Sequence, residues 1–163
     1  MLPLCNDGID GAALAKTDAD VLHITPYRSF PTGVTASASK RYEYIRWSEK
    51  GERFIIESDY DSEFSVSSKP TETIFSLSDH DNVIYLNTFS KTISPSMRVG
   101  YMVLPKRLVE PFSDRLGFYS CTVPTFEQLV LTELINNGDF ERHINRERRK
   151  KRREAETKTD RND

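Results

Sequence analysis

The clearest signal of a fold in this sequence is VIYLNTFSKTISPSMRVGYMVLP, residues 83–105. Its two apolar runs, VIYL (83–86) and VGYMVL (99–104), have the composition and length of buried strands. The polar segment between them holds Lys91 among hydroxyl side chains, with Arg98 seven residues further on. A single loop lysine is usually a solvated surface group, so the neighbours of Lys91 decide whether it has a chemical role.

Apolar runs and helical patterns alternate on both sides of this stretch. They predict strands at 21–25, 54–57, 83–86 and 99–104, and helices at 39–50, 106–116 and 125–137. Near-continuous apolar strands alternating with helices indicate an α/β fold, with a mixed, mostly parallel sheet and flanking helices. In such sheets ligands bind outside the carboxyl ends of the strands. We therefore expect the polar segments 26–33, 57–64 and 87–98 to lie on one edge.

The residues around Lys91 suit a phosphorylated cofactor. Thr88 and Ser90 supply hydroxyl and backbone N–H groups in a turn, and the planar fork of Arg98 matches a phosphate. A lysine able to form a Schiff base beside phosphate donors is what pyridoxal 5'-phosphate requires. Tyr60, 31 residues before Lys91, is a candidate donor to the phenolic oxygen of that cofactor; the alternative is an aromatic residue that caps the strand edge.

These motifs resemble the aminotransferase-like domain of fold-type-I pyridoxal-phosphate proteins. More narrowly, the sequence resembles the effector domain of the MocR/GabR subfamily of GntR-type bacterial transcriptional regulators. The matching pieces are ITPYRSFPTG (24–33), IIESDYDSEF (55–64), the opening stretch (83–105), FYSCTVPTFEQ (118–128) and GDFERHINRERR (138–149). The resemblance implies a partial large domain of the pyridoxal-phosphate-dependent transferase fold over 1–138 and a basic helix over 139–153. Residues 154–163 hold no apolar residue beyond Ala155, which predicts a disordered tail over 154–163.

The resemblance also implies a role for each site residue. Lys91 would be the catalytic residue and would attach the cofactor as a Schiff base. Thr88, Ser90 and Arg98 would hold the phosphate, and Tyr60 would donate a hydrogen bond to the phenolic oxygen.

The chain departs from the family pattern at Ser58. The family usually has an acidic residue, two aspartates and a tyrosine at this strand end, and the first aspartate pairs with the pyridine nitrogen. Here the order is Glu57, Ser58, Asp59, Tyr60. Because side chains alternate along a strand, Asp59 is expected to face away from the ring, unless a bulge turns it inward. A serine supplies no charge to keep the nitrogen protonated, so efficient transamination is not expected.

The resemblance further implies a domain truncated at both ends. The winged-helix DNA-binding domain, the glycine-rich phosphate loop, the aromatic residue that stacks on the pyridine ring and the arginine that grips the substrate carboxylate are all expected to be absent from this chain. The intact protein is expected to form a homodimer, to bind a small amine or amino acid, and to reach DNA only through the missing domain.

Composition excludes several other classes of function. The 163 residues hold 23 Lys and Arg against 25 Asp and Glu, so no overall charge favours nucleic acid or a membrane surface. No apolar run has the length of a membrane span, and Cys5 and Cys121 lack metal-ligand spacing. We expect a reduced, cytoplasmic protein. His23, His80 and His143 are interpreted as structural, with no metal site.

One charge run stands out: residues 141–153 hold eight Lys and Arg against two Glu. The run contains no interleaved aromatic residue, which favours a solvated helical face over a nucleic-acid patch.

Three functions fit these observations. The leading hypothesis is the pyridoxal-phosphate-binding, effector-sensing part of a bacterial transcriptional regulator. The first alternative is a pyridoxal-phosphate-dependent aminotransferase, which transfers an amino group from an amino acid to a 2-oxo acid. The second is a truncated remnant without function.

Overall fold

The computed structural model describes residues 1–59, 62–64 and 72–159. The strands are β1 (Leu4–Cys5), β2 (Gly8–Ile9), β3 (Val21–Ile24), β4 (Phe54–Ser58), β5 (Val83–Thr88) and β6 (Gly100–Val103). The helices are α1 (Gly11–Lys16), α2 (Ala38–Glu49), α3 (Ile74–Leu77), α4 (Phe89–Thr92), α5 (Lys106–Leu116), α6 (Thr125–Asn136) and α7 (Asp139–Thr159), with a 3-10 turn at Ser62–Phe64.

The main sheet has the strand order β3-β4-β5-β6. The pairs β3–β4 and β4–β5 are parallel, and Ile55 on β4 pairs with Leu22 on one side and Val83 on the other. This confirms the predicted α/β fold with a mostly parallel sheet, and the predicted strand positions shift by only one or two residues. Because neighbouring parallel strands run in one direction, β3, β4 and β5 all end at the same edge of the sheet.

The core lies between this sheet and helix α2. Ile55 is fully buried, and Tyr44 and Trp47 of α2 belong to the same apolar cluster. Ser37 is the N-cap residue of helix α2, and its hydroxyl accepts a hydrogen bond from the N–H of Lys40. The buried side of α2 is formed by Tyr44, Ile45, Trp47 and Ser48.

The described residues form two compact units. One comprises those within 1–60, 72–87 and 101–120, and contains the core just described. The other comprises those within 61–71, 88–100 and 121–163. In the second unit α7 packs on α6 and on the 3-10 turn, where the Lys151 ammonium lies 4.0 Å from the Phe64 ring centroid.

Helix α7 is longer than predicted. The sequence indicated a helix ending at 153 and a disordered tail over 154–163, whereas α7 continues to Thr159. The glutamates, the alanine and the lysine that follow residue 153 are good helix formers, and adding a residue to an existing helix costs far less than starting one. Residues 160–163 lie outside the described part of the chain.

Helix α7 does not have the composition of a membrane-spanning helix. At 21 residues it has the length of a membrane span, but its cationic run rules that role out. No helix in the described ranges is both long enough and apolar enough to cross a bilayer.

Candidate functional site

The Lys91 turn, residues 88–98, begins at the threonine that ends β5. The Thr88 hydroxyl accepts a hydrogen bond from the N–H of Ser90 at 3.2 Å and donates one to the carbonyl of Val99 at 3.1 Å. The N–H of Phe89 donates to the same carbonyl at 2.8 Å. The Thr88 side chain therefore caps the first turn of helix α4 and connects it to Val99, just before β6.

Ser90 and Arg98 meet on this turn. The Ser90 hydroxyl donates to the carbonyl of Met97 at 2.6 Å, and Nη1 of Arg98 lies 3.3 Å from the Ser90 oxygen as a donor. The Arg98 side chain is exposed. The guanidinium thus lies beside a hydroxyl and remains accessible to an anion from solvent.

Lys91 extends from the same helical turn and is exposed. The next residue, Thr92, is only 3% exposed, and its hydroxyl donates to the carbonyl of Thr88 at 3.2 Å. The N–H of Ile93 donates to the carbonyl of Phe89 at 2.9 Å. The backbone that carries the lysine is therefore anchored, while the lysine side chain itself reaches solvent.

The end of strand β4 carries Asp59 in a buried hydrogen-bond network. Asp59 is 1% exposed, and its N–H donates to the carbonyl of Leu86 at 2.9 Å. Its carboxylate accepts a hydrogen bond from the Tyr85 hydroxyl at 2.9 Å, and the Asn87 amide donates to that hydroxyl oxygen at 2.8 Å. Burial raises the pKa of Tyr85, so this phenol stays neutral and can donate to the carboxylate.

Ser58 occupies the opposite face of the strand. It is half-buried, and its hydroxyl oxygen lies 3.2 Å from Nε2 of His23 on the neighbouring strand. Asp59 keeps the strand alternation and shares the buried face with Ile55 and Glu57. On the face of the sheet that Ser58 shares with His23, β4 therefore presents a hydroxyl group and no carboxylate.

Glu57 is a buried carboxylate to which the sequence assigned no function. It is fully buried and accepts hydrogen bonds from the N–H groups of Ile74 at 2.9 Å and Phe75 at 2.8 Å. Burial raises the pKa of Glu57 to about 7, although both backbone hydrogen bonds favour the charged form. The sequence did contain a signal for this interaction, because a glutamate on the apolar face of a buried strand requires a hydrogen-bond partner.

The predicted site residues fall into two groups in the structure. Thr88, Ser90, Lys91 and Arg98 come together on one turn, whereas Ser58 and Asp59 lie at the end of β4 on opposite faces. Tyr60 lies outside the described residues. The roles assigned to these residues stay predictions. Across the described ranges, no group of three or more His, Cys, Asp or Glu is placed to hold a metal ion.

The Lys91 turn fits the chemistry of pyridoxal phosphate. The exposed guanidinium of Arg98, which lies beside Ser90, supplies the charged donors that a phosphate monoester requires. Lys91 supplies a primary amine on the same turn, and an exposed amine can react with the aldehyde of the cofactor.

Comparison with known proteins identifies the family. Residues 14–159 match the family described as Aminotransferase class I and II. The chain is 36% identical over 154 residues to an uncharacterized HTH-type transcriptional regulator, YdeL of Bacillus subtilis (strain 168), and the match covers 93% of this chain and 33% of YdeL. It is 29% identical to the probable rhizopine catabolism regulatory protein MocR of Rhizobium meliloti, over 91% of this chain and 30% of MocR.

Solved structures agree with this assignment. Kynurenine aminotransferase of Pyrococcus horikoshii, in complex with PMP, superposes with a TM-score of 0.80 at 26% identity, covering 91% of this chain and 39% of the enzyme. LysN, the alpha-aminoadipate aminotransferase of Thermus thermophilus, complexed with N-(5'-phosphopyridoxyl)-L-leucine, also has a TM-score of 0.80 at 26% identity, over 95% of this chain and 41% of LysN.

Family and fold together support pyridoxal phosphate as the cofactor. The chain spans about a third of the length of the curated relatives it matches. It belongs to the aminotransferase class I and II family and is similar to the aminotransferase-like domain of MocR-type transcriptional regulators.

Proposed function

We propose that this chain is the pyridoxal-phosphate-binding, effector-sensing part of a transcriptional regulator. The observation that carries the proposal is the Lys91 turn, where a primary amine, a guanidinium and two hydroxyls share one short stretch of backbone. The relatives that share more than a quarter of its residues include an HTH-type regulator and a regulatory protein. Both observations fit a cofactor-holding domain in a regulator.

Each residue of the turn has a distinct task in this proposal. Arg98 would neutralise the phosphate and donate hydrogen bonds to it. The hydroxyls of Ser90 and Thr88, which donate to the carbonyls of Met97 and Val99 in this structure, would turn toward the phosphate to complete the donor set. Lys91 would hold the cofactor through its primary amine, which would condense with the aldehyde with release of water, and the amine of a small ligand would compete for the same carbon and set the Lys91 amine free. When bound, pyridoxal phosphate supplies an aldehyde carbon that discriminates amines from other small molecules.

Ser58 favours sensing over catalysis. In an aminotransferase a carboxylate beside the pyridine nitrogen keeps it protonated, so that the ring withdraws electrons during proton removal from the substrate. Ser58, at the position where the family resemblance expects that carboxylate, offers only a hydroxyl. Asp59 is engaged by Tyr85 on the other face of the strand. Replacement of the Lys91 amine by a ligand amine at the aldehyde carbon would need no such electron withdrawal, whereas transamination does.

The partners follow from the same proposal. A small amine or amino acid is the effector, a second copy of the chain is the partner in a homodimer, and DNA is bound by a helix-turn-helix region of the kind named in the relatives. A regulator of bacterial genes works in the cytoplasm, where Cys5 and Cys121, both free thiols in this structure, stay reduced.

Reductive trapping tests the proposal directly. The purified chain is mixed with pyridoxal phosphate, reduced with borohydride and digested, and the modified peptide is identified by mass spectrometry. We expect a phosphopyridoxyl adduct on Lys91, lost in Lys91→Ala and retained in Lys50→Ala, a matched exposed lysine at the end of α2.

The outcomes separate the three candidate functions. An adduct on Lys91 without amino-group transfer to a 2-oxo acid supports the sensing function. The same adduct with sustained transfer identifies an aminotransferase instead. Modification spread over surface lysines, with no preference for Lys91, rejects cofactor binding and favours a remnant without function.

A further inference from the structure

A histidine on helix α7 contacts the turn that carries Lys91. Nε2 of His143 lies 2.7 Å from the carbonyl oxygen of Thr92, in a part-buried contact between residues 51 positions apart. The last carbonyl groups of any helix have no partner within the helix. Thr92 is the last residue of the four-residue helix α4, so His143 supplies the partner that this carbonyl lacks.

The hydrogen-bond partners of His143 define its tautomer. A carbonyl oxygen can only accept, so Nε2 must carry the hydrogen that it donates to Thr92. On the other side of the ring, Nη2 of Arg146 lies 3.1 Å from Nδ1. A guanidinium can only donate, so Nδ1 must be the unprotonated nitrogen. Only the neutral Nε2–H tautomer satisfies both contacts.

The same helix makes a second contact with α4. The ring of Phe140, one helical turn before His143, packs edge-on against Phe89 with centroids 5.8 Å apart. The two contacts hold the first and last residues of α4, and Lys91 lies between them. Thr92 itself is buried, so its carbonyl has little access to water as an alternative partner.

We propose that His143 is a positioning residue for Lys91: its neutral imidazole caps the Thr92 carbonyl and fixes the direction in which the turn presents the lysine. The purpose of this arrangement rests on the proposed function, because a lysine that must meet a bound aldehyde requires a defined position. The hydrogen bond itself does not depend on any cofactor, so it can be tested separately.

Amide hydrogen exchange without cofactor tests the anchoring. His143→Leu removes the donor at similar size, and we expect the amides of residues 89–93 to exchange about fivefold faster, as loss of one hydrogen bond worth about 1 kcal/mol would produce. His143→Gln keeps an N–H donor and should restore exchange to within about twofold of the wild type. His80→Leu, at a histidine paired with Glu49, should leave these amides unchanged.

Nitrogen NMR of the wild-type protein provides a test that needs no variant. The ring of His143 should show a protonated Nε2 and an unprotonated Nδ1. The opposite tautomer, or a freely exchanging ring, would overturn the proposal even if the variants failed to fold. Unchanged exchange in a folded His143→Leu would overturn it as well.

Borohydride trapping tests whether the His143 hydrogen bond affects the reaction of Lys91 with the cofactor. If Lys91 binds pyridoxal phosphate, the concentration that gives half-maximal adduct should rise about fivefold in His143→Leu and recover in His143→Gln. If the wild type forms no adduct but exchange still responds to these variants, the positioning role stands and the cofactor-binding function fails. If the adduct forms equally well in all three proteins, His143 does not position Lys91.

Discussion

The end of strand β4 and the Lys91 turn use polar residues in opposite ways. The end of β4 places two buried carboxylates against donors from the protein itself. Glu57 accepts from two backbone N–H groups, and Asp59 accepts from Tyr85 in a network that includes Asn87. The Lys91 turn instead leaves its cationic groups exposed on an anchored backbone. Buried polar groups lose free energy unless each is paired, whereas exposed donors can exchange water for a ligand. The first region therefore contributes to stability, and the second is available for binding.

The largest effect that tests this contrast is expected in the pH dependence of the free energy of unfolding. Burial raises the pKa of Glu57 from 4.5 to about 7, so the folded state favours the protonated carboxyl. Its contribution to the free energy of unfolding is fully present below about pH 4.5 and is lost as pH rises through about 7, a change of roughly 3 kcal/mol. Urea unfolding across this range should show the decline in the wild type and a flatter profile in Glu57→Gln. Parallel profiles would contradict the role given to burial.

Removal of the other buried carboxylate should have the next largest effect. Asp59→Ala deletes the acceptor of the Tyr85 hydroxyl and should lower the free energy of unfolding by about 2 kcal/mol. Asp59→Asn retains an oxygen that can accept this hydrogen bond, so it should cost less. Denaturant titration of both variants checks the order, and equal losses would show that packing rather than hydrogen bonding dominates at this position.

A smaller loss of stability is expected when the Tyr85 hydroxyl, which joins Asp59 to Asn87, is removed. Tyr85→Phe keeps the ring but removes the hydroxyl that donates to Asp59 and accepts from Asn87. We expect a loss of about 1 kcal/mol in the free energy of unfolding. The matched control is Tyr42→Phe, at an exposed tyrosine of α2, which should be close to neutral. Equal effects at the two tyrosines would mean that the network adds nothing to stability.

The smallest effect on stability is expected at the Lys91 turn. Lys91→Ala and Arg98→Ala remove exposed side chains and should each change the free energy of unfolding by less than about 0.5 kcal/mol. Arg98→Ala should nevertheless weaken pyridoxal phosphate binding about tenfold, because a charge-assisted phosphate contact is lost. Calorimetry with the cofactor and thermal unfolding without it measure the two quantities. A large loss of stability in either variant would show that the turn is structural.

Much of the fold could be predicted because it depends on local patterns. Apolar runs marked the strands of the main sheet, and the helix pattern ending before Gly51 marked α2. The turn around Lys91 was equally visible, since Thr88, Ser90 and Arg98 lie within a few residues of it. The hairpin of β1 and β2 was missed, although Asn6, Asp7 and Gly8 form a recognisable turn signal.

The remaining features depend on contacts between residues that are distant in sequence. Nothing adjacent to Glu57 indicates that it accepts hydrogen bonds from residues 74 and 75. Nothing near Thr92 points to His143, which was interpreted only as a structural histidine. The helix end predicted at 153 was also wrong, because propagation of an existing helix outweighed the lack of apolar residues beyond it.

The α/β class, the parallel strands and the polar residues around Lys91 could be predicted from the sequence, because periodicity and close spacing carry that information locally. Which polar groups are buried depends on the tertiary structure. It placed Asp59 with Tyr85 and left Ser58 beside His23, and it brought His143 to the carbonyl that follows Lys91. The physical reason is that the cost of burying a polar group depends on partners that the folded chain brings together from distant positions.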